Sequence, residues 1–176
     1  RRSDIPARNW TNPKSDLRFV RKICYTVPRE EKVRQMIKRT IENKLRELVR
    51  QFPVVTIEGP RQSGKTTLAK MVFPDYSYAN LEEYATQTLA ESDPQGFFAR
   101  FPAPAIIDEI QRAPGLLREI QAQVDKSPRN GQYILTGSHQ PRLKEGISQS
   151  LAGRTALLTL FPFSIAELSQ AGIVLS

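Results

Sequence analysis

The stretch GPRQSGKTTLAK, Gly59–Lys70, follows directly on the apolar run VVTIE. Its opening GPRQSGKT fits G-x-x-x-x-G-K-[ST], with Gly59, Gly64, Lys65 and Thr66 in the fixed places. The chemistry of each residue type explains the pattern. Two glycines let the backbone wrap closely, with its N–H groups turned inward at phosphate oxygens. A helix beginning near Lys65 brings its positive end to the same spot. The Lys65 ammonium reaches the β- and γ-phosphates, and the Thr66 hydroxyl ligates magnesium. Gly59, Pro60, Arg61, Gln62, Ser63, Gly64, Lys65, Thr66 and Thr67 therefore form the candidate cradle, with the Arg61 side chain facing solvent or a partner. A chance match in a glycine-bearing turn is the alternative. The setting between a strand and a helix argues against it.

An acidic partner comes from AIIDEI, Ala105–Ile110, an apolar strand candidate that ends in Asp108. There a carboxylate faces the phosphate loop from the sheet edge and can hold magnesium. Glu109 beside it is placed to polarise an attacking water, the step that separates hydrolases from nucleotide binders. The other reading is an acid pair capping a helix over IQRAP. At the end of a further strand, LTGSH puts Thr136, Ser138 and His139 near the same edge. Thr136 and Ser138 can bind the water or the γ-phosphate, or simply make a tight turn, and His139 reads as a solvated loop residue. Arg154, in SLAGRTALL, either reaches a γ-phosphate in its own or a neighbouring subunit or is a salt-bridged surface residue. Asn80 and Glu82, in YANLEE, either face the site or begin the next helix.

Around these motifs the chain reads as strands alternating with helices. A helix from Met36 carries Ile37, Ile41, Leu45, Leu48, Val49 and Phe52 on one face, with Glu42 and Arg46 spaced to pair on the wet side. Strands follow at VVTIEG, YSYANLE, AIIDEI, QYILTGS and TALLTLF. Helices follow the glycine loop, fill 83–101 in two pieces broken at SDPQG, and carry Leu116, Leu117, Ile120 and Val124. A last helix opens at Ser164, where Glu167 completes a capping box. The expected fold class is α/β, a P-loop NTPase with a parallel sheet of about five strands covered on both faces.

Charge is uneven along the chain. Residues 1–50 carry 15 Lys and Arg against 6 Asp and Glu, whereas residues 51–176 carry 11 against 12. The nucleotide-binding part is not a basic nucleic-acid surface on composition. The lone Cys24 excludes an internal disulfide framework and fits a reducing cytosol. No apolar run approaches the roughly 20 residues that span a bilayer, and no signal region follows the leading arginines. A soluble cytoplasmic protein is expected. Residues 1–35 form a basic irregular arm without a periodic apolar face, which reads as upstream sequence ahead of a natural start at Met36, or as a basic tail for nucleic acid.

GPRQSGKTTL, YANLE, IIDEIQRAPGLL, ILTGSHQ, SLAGR and LFPFSIAEL occur in this order and spacing. Over Met36–Leu168 the chain thereby resembles the bacterial and archaeal AAA-type ATPases that carry a C-terminal domain of unknown function. The resemblance implies an AAA+-like sheet, with the phosphate-loop strand central and the acid-bearing strand not its sequence neighbour. It implies ATP as nucleotide, roles for Lys65, Thr66, Asp108 and Glu109, and a sensor in TGS. Arg154 matches the family's Gly-Arg position. Residues 36–176 are thus expected to be an AAA-type domain cut short before its C-terminal domain.

Three function classes follow. The first is a magnesium-dependent ATP hydrolase that moves a partner, as a homo-oligomer or otherwise. The second is an ATP-dependent switch or scaffold with little turnover. The third is a nucleic-acid-handling motor, suggested by the basic first 50 residues. A small-molecule kinase is disfavoured, because no stretch resembles an acceptor pocket with its own lid.

Overall fold

The computed structural model describes residues 37–138 and 141–172. The arm 1–35, Met36 and His139 lie outside the described residues, so expectations for them rest on sequence alone. Five strands form one sheet: β1 Val54–Gly59, β2 Ser77–Asn80, β3 Ala105–Asp108, β4 Tyr133–Ser138 and β5 Thr155–Thr159. All neighbours run parallel, in the order β2-β3-β4-β1-β5. β4 therefore separates the phosphate-loop strand from the acid-bearing strand, and β1 is flanked on both sides, as expected.

A parallel sheet must be covered on both faces, and strand alternation divides the core in two. On one face Val55, Ile57, Ile106, Ile134, Ala156 and Leu158 meet α1 (Glu42–Gln51) and α2 (Lys65–Val72). On the other, Val54, Ala105, Ile107, Tyr133 and Leu135 meet four helices. These are α3 (Tyr84–Ser92), α4 (Pro94–Arg100), α5 (Leu116–Lys126) and α6 (Pro141–Ser150). A final helix, α7 (Ile165–Gln170), follows β5 and opens with the expected capping box of Ser164 and Glu167.

Three expectations are corrected. The helix expected over 36–52 begins, among the described residues, at Glu42, because Arg39 and Thr40 are drawn into side-chain bonds with Glu167 instead of helical ones. Glu42 and Arg46 do not pair: Glu42 accepts from the Arg39 N–H, and Arg46 donates to the Val72 carbonyl at 3.1 Å. The third change is an addition, α6. Its apolar stripe is only Leu143, Ile147 and, just beyond its end, Leu151, and Gly146 interrupts it. That glycine lies where a Cβ would come within 3.2 Å of Leu117 Cδ1, so packing against α5 decides a helix that pattern alone leaves faint.

Candidate active site

The phosphate loop joins β1 to α2 at the C-terminal edge of the sheet. Gly59 is required there by space, since an ideal Cβ would sit 2.1 Å from the Leu160 carbonyl oxygen. Gly64 is required by conformation, at φ 89 in the left-handed region, where it caps α2. Gln62, at φ 61, holds the same region without being glycine, a strain of about 1–3 kcal/mol that collects at functional loops. Lys65 is buried, and its ammonium donates to the Gly59 and Pro60 carbonyls at 3.1 and 2.8 Å. The charge thereby lies across the mouth of the loop. Arg61, Gln62 and Thr67 present their side chains to solvent, which places their part of the cradle in the backbone.

Asp108, at the end of β3, is 6% exposed and is reached by three hydroxyls. Thr66 Oγ1 donates to both carboxylate oxygens, at 2.8 and 2.9 Å, and Tyr78 donates at 3.0 Å. Thr136 donates as well. No cation among the described residues pairs with this buried carboxylate, and neutral donors alone leave its charge uncompensated. A hard divalent ion suits that deficit: one carboxylate and one hydroxyl at contact distance match a magnesium site completed by phosphates and water. Among the described residues there is no group of three acidic, His or Cys side chains that would make an all-protein cage.

Glu109 follows in the left-handed region, at φ 57 and ψ 48, and makes no side-chain cap on the short helix Ile110–Arg112. The helix-capping alternative for the acid pair is therefore not what the fold contains. Its backbone N–H donates to Thr136 Oγ1 at 3.2 Å, and its carboxylate accepts from the Gln111 amide. Thr136 thus joins Asp108 and Glu109 from within the sheet. Ser138 shares its strand face and pairs in register with Gly59, and its buried hydroxyl has no partner among the described residues.

Arg154 is the sequence candidate that the fold leaves outside. It sits at the start of β5, beside Val54, at the opposite end of the strands from the loop. Five residues of strand separate it from the loop edge, roughly 16 Å. Its guanidinium is bidentate on Asp125, at 2.6 and 2.9 Å, so within this chain it forms a salt bridge at the end of the strands away from the loop; a reach to a neighbouring subunit's γ-phosphate stays a proposal. Asn80 accepts from the Glu82 N–H in a local turn, and Glu82 lies 4.0 Å from Arg112.

Two side chains in the site went unread in sequence. Tyr78 lies two residues before the end of β2, and only the register of β2 on β3 brings its hydroxyl to Asp108. Burial first, then the Asp108 charge, raise its phenol above the ordinary value. Gln111 stands within the quoted IIDEIQ, but a role for it needs the left-handed turn at Glu109.

Comparison with known proteins follows this geometry. A family model described as an AAA domain matches residues 51–169. Uncharacterized proteins of Mycobacterium bovis and Mycobacterium tuberculosis are each 30% identical over 129 residues, which cover 73% of this chain and 29% of theirs. The chain thus spans under a third of the length of these relatives. A Walker-type ATPase of Pyrococcus abyssi shares the fold, with a TM-score of 0.55 at 19% identity, over 82% of this chain and 61% of that one. No helix among the described residues is long and apolar enough to cross a membrane. Since the matched span takes in every strand of the sheet together with the loop that β1 feeds, the chain belongs to the AAA domain family of nucleotide-binding P-loop ATPases.

Proposed function

We propose that this domain hydrolyses ATP with magnesium and uses the cycle to move a partner. The observation that carries this reading is the convergence of Thr66, Thr136 and Tyr78 on the buried Asp108, with Glu109 adjoining it at the loop edge. Backbone amides of the loop and of the first turn of α2 bind the phosphates, and Lys65 turns its ammonium from loop carbonyls to phosphate oxygens. Thr66 and Asp108 hold the magnesium ion, which when bound supplies charge neutralisation at the phosphates. Glu109 takes the proton of the attacking water, and Ser138 offers its unpartnered hydroxyl at the end of β4.

A second reading, a switch with little turnover, has one observation behind it: Gln111 occupies the Glu109 carboxylate. Phosphate release separates the two. Glu109→Gln should keep ATP affinity within about threefold and lose turnover about 100-fold or more. Equal rates for Glu109→Gln and its parent would make Glu109 a structural residue. A parent that binds ATP and releases no phosphate favours the switch.

A further inference from the structure

Arg39 is a buried cation three residues ahead of α1, far in sequence from every motif that makes the site. It is 6% exposed, and three of its donors are engaged in three different places. Nε donates to Glu167 Oε1 at 3.1 Å, Nη1 to the Ser63 carbonyl at 2.9 Å, and Nη2 to the Phe161 carbonyl at 2.6 Å. The guanidinium also lies 4.3 Å from the Phe163 ring centre. Glu167 is held in turn: Thr40 donates to it from both backbone and hydroxyl, and the Ser164 N–H donates to its other oxygen.

Ser63 is the loop residue directly before Gly64. In a planar trans peptide the C=O and the following N–H point in opposite directions. A hydrogen bond that fixes the Ser63 carbonyl on one side therefore fixes the Gly64 N–H on the other. That N–H has no acceptor among the described residues, and it belongs to the group of amides that start α2. Gly64 also stands in the left-handed region, at φ 89, with no Cβ to restrict its rotation. The orientation of this peptide therefore depends on the hydrogen bonds made to it, the Arg39 bond to the Ser63 carbonyl among them.

We propose that Arg39 is a positioning residue for the phosphate cradle: it turns the Ser63–Gly64 peptide so that the Gly64 N–H faces the phosphates. Glu167 holds the guanidinium in that place, so the cradle is tied to the segment behind β5. The inference deepens the nucleotide reading above and rests on it. A planar fork is needed, because one side chain must meet Glu167, Ser63 and Phe161 at once.

The test must separate bracing of the loop from general stability. Arg39→Met alone strands the Glu167 charge in the interior and destabilises the fold. Arg39→Met combined with Glu167→Gln removes both charges; the glutamine oxygen keeps the bonds from Thr40 and gives up the one from the Ser164 N–H, since its amide nitrogen only donates. This pair of changes should melt within a few degrees of the parent, yet raise the dissociation constants of ATP and ADP roughly tenfold or more, the worth of one hydrogen bond to a charged group. Recovery of stability with parental affinity would overturn the inference. Should the double variant not fold, Arg39→Lys keeps the charge opposite Glu167 and loses the fork. It should show the same loss in isothermal titration with ATP, and parental affinity there overturns the inference equally. A parent that binds neither ATP nor ADP overturns the nucleotide reading, and the inference with it.

Discussion

Among the described residues only hydroxyls reach the Asp108 carboxylate, which makes each of them a lever on the proposed magnesium site. Tyr78 is the one whose loss should disturb least else, because its ring stays packed with Lys70 Nζ 3.2 Å from its centre. Tyr78→Phe should raise the magnesium concentration needed for half-maximal ATPase roughly tenfold, the scale of one hydrogen bond to a charged group, with kcat largely kept. A magnesium titration of turnover reads this. Glu167 is a lever of another kind. Burial alone would raise its pKa, but the hydrogen bonds from Ser164, Thr40 and Arg39 outweigh burial and hold the carboxyl at about 2, against 4.5. A depressed carboxylate contributes stability that is whole above its unfolded pKa and is lost as pH falls through the folded one. The parent's advantage over Glu167→Gln in urea midpoint should therefore be flat above about pH 5 and shrink between 4.5 and about 2.

Among the elements, α4 shows how a local break in pattern serves the core. SDPQG stops α3, and Asp93 then caps α4 by accepting from the Gly96 N–H at 2.9 Å, with Pro94 in the first turn. The short helix exists to deliver Phe97 and Phe98, the latter edge-on to Tyr133 at 5.7 Å. Asp93→Ala should cost about 1 kcal/mol of stability in a denaturant titration. It should leave ATP affinity unchanged, because α4 covers the face of the sheet away from α2. The boundaries of α1 and α6 taught the opposite lesson. The first is cut short by a bond to a residue more than a hundred positions away, and the second is carried by contact with α5.

For the whole molecule, strand order decides what can be a site. Placing β4 between β3 and β1 lets Thr136 bond Asp108 and the Glu109 amide from one position, beside the loop. The same parallel register sends Arg154 to the far end. The arm remains a proposal from sequence: a chain begun at Met36 should keep the melting temperature and ATPase rate of the chain begun at Arg1. A chain begun at Ile41 lacks Arg39 and Thr40, and it should lose stability and ATP affinity together. Thermal melts and phosphate release on the two shortened chains distinguish these outcomes.

The phosphate loop, the acid pair and the alternation of strands with helices were legible in sequence, because each is local: a spacing, a residue type and a period within a few turns of chain. Glu109 and Asp108 could be named from a strand end alone. Tyr78, Gln111 and Arg39 could not, since their partners are chosen by strand register, by a left-handed turn and by contact between the two flanks of the domain. The same reason misplaced the start of α1, where Glu167 outcompetes the helix for Thr40. Sequence determined which chemistry this chain carries. Tertiary structure decided which side chains hold it in place, because a hydrogen bond to a residue far along the chain leaves no trace in the local pattern.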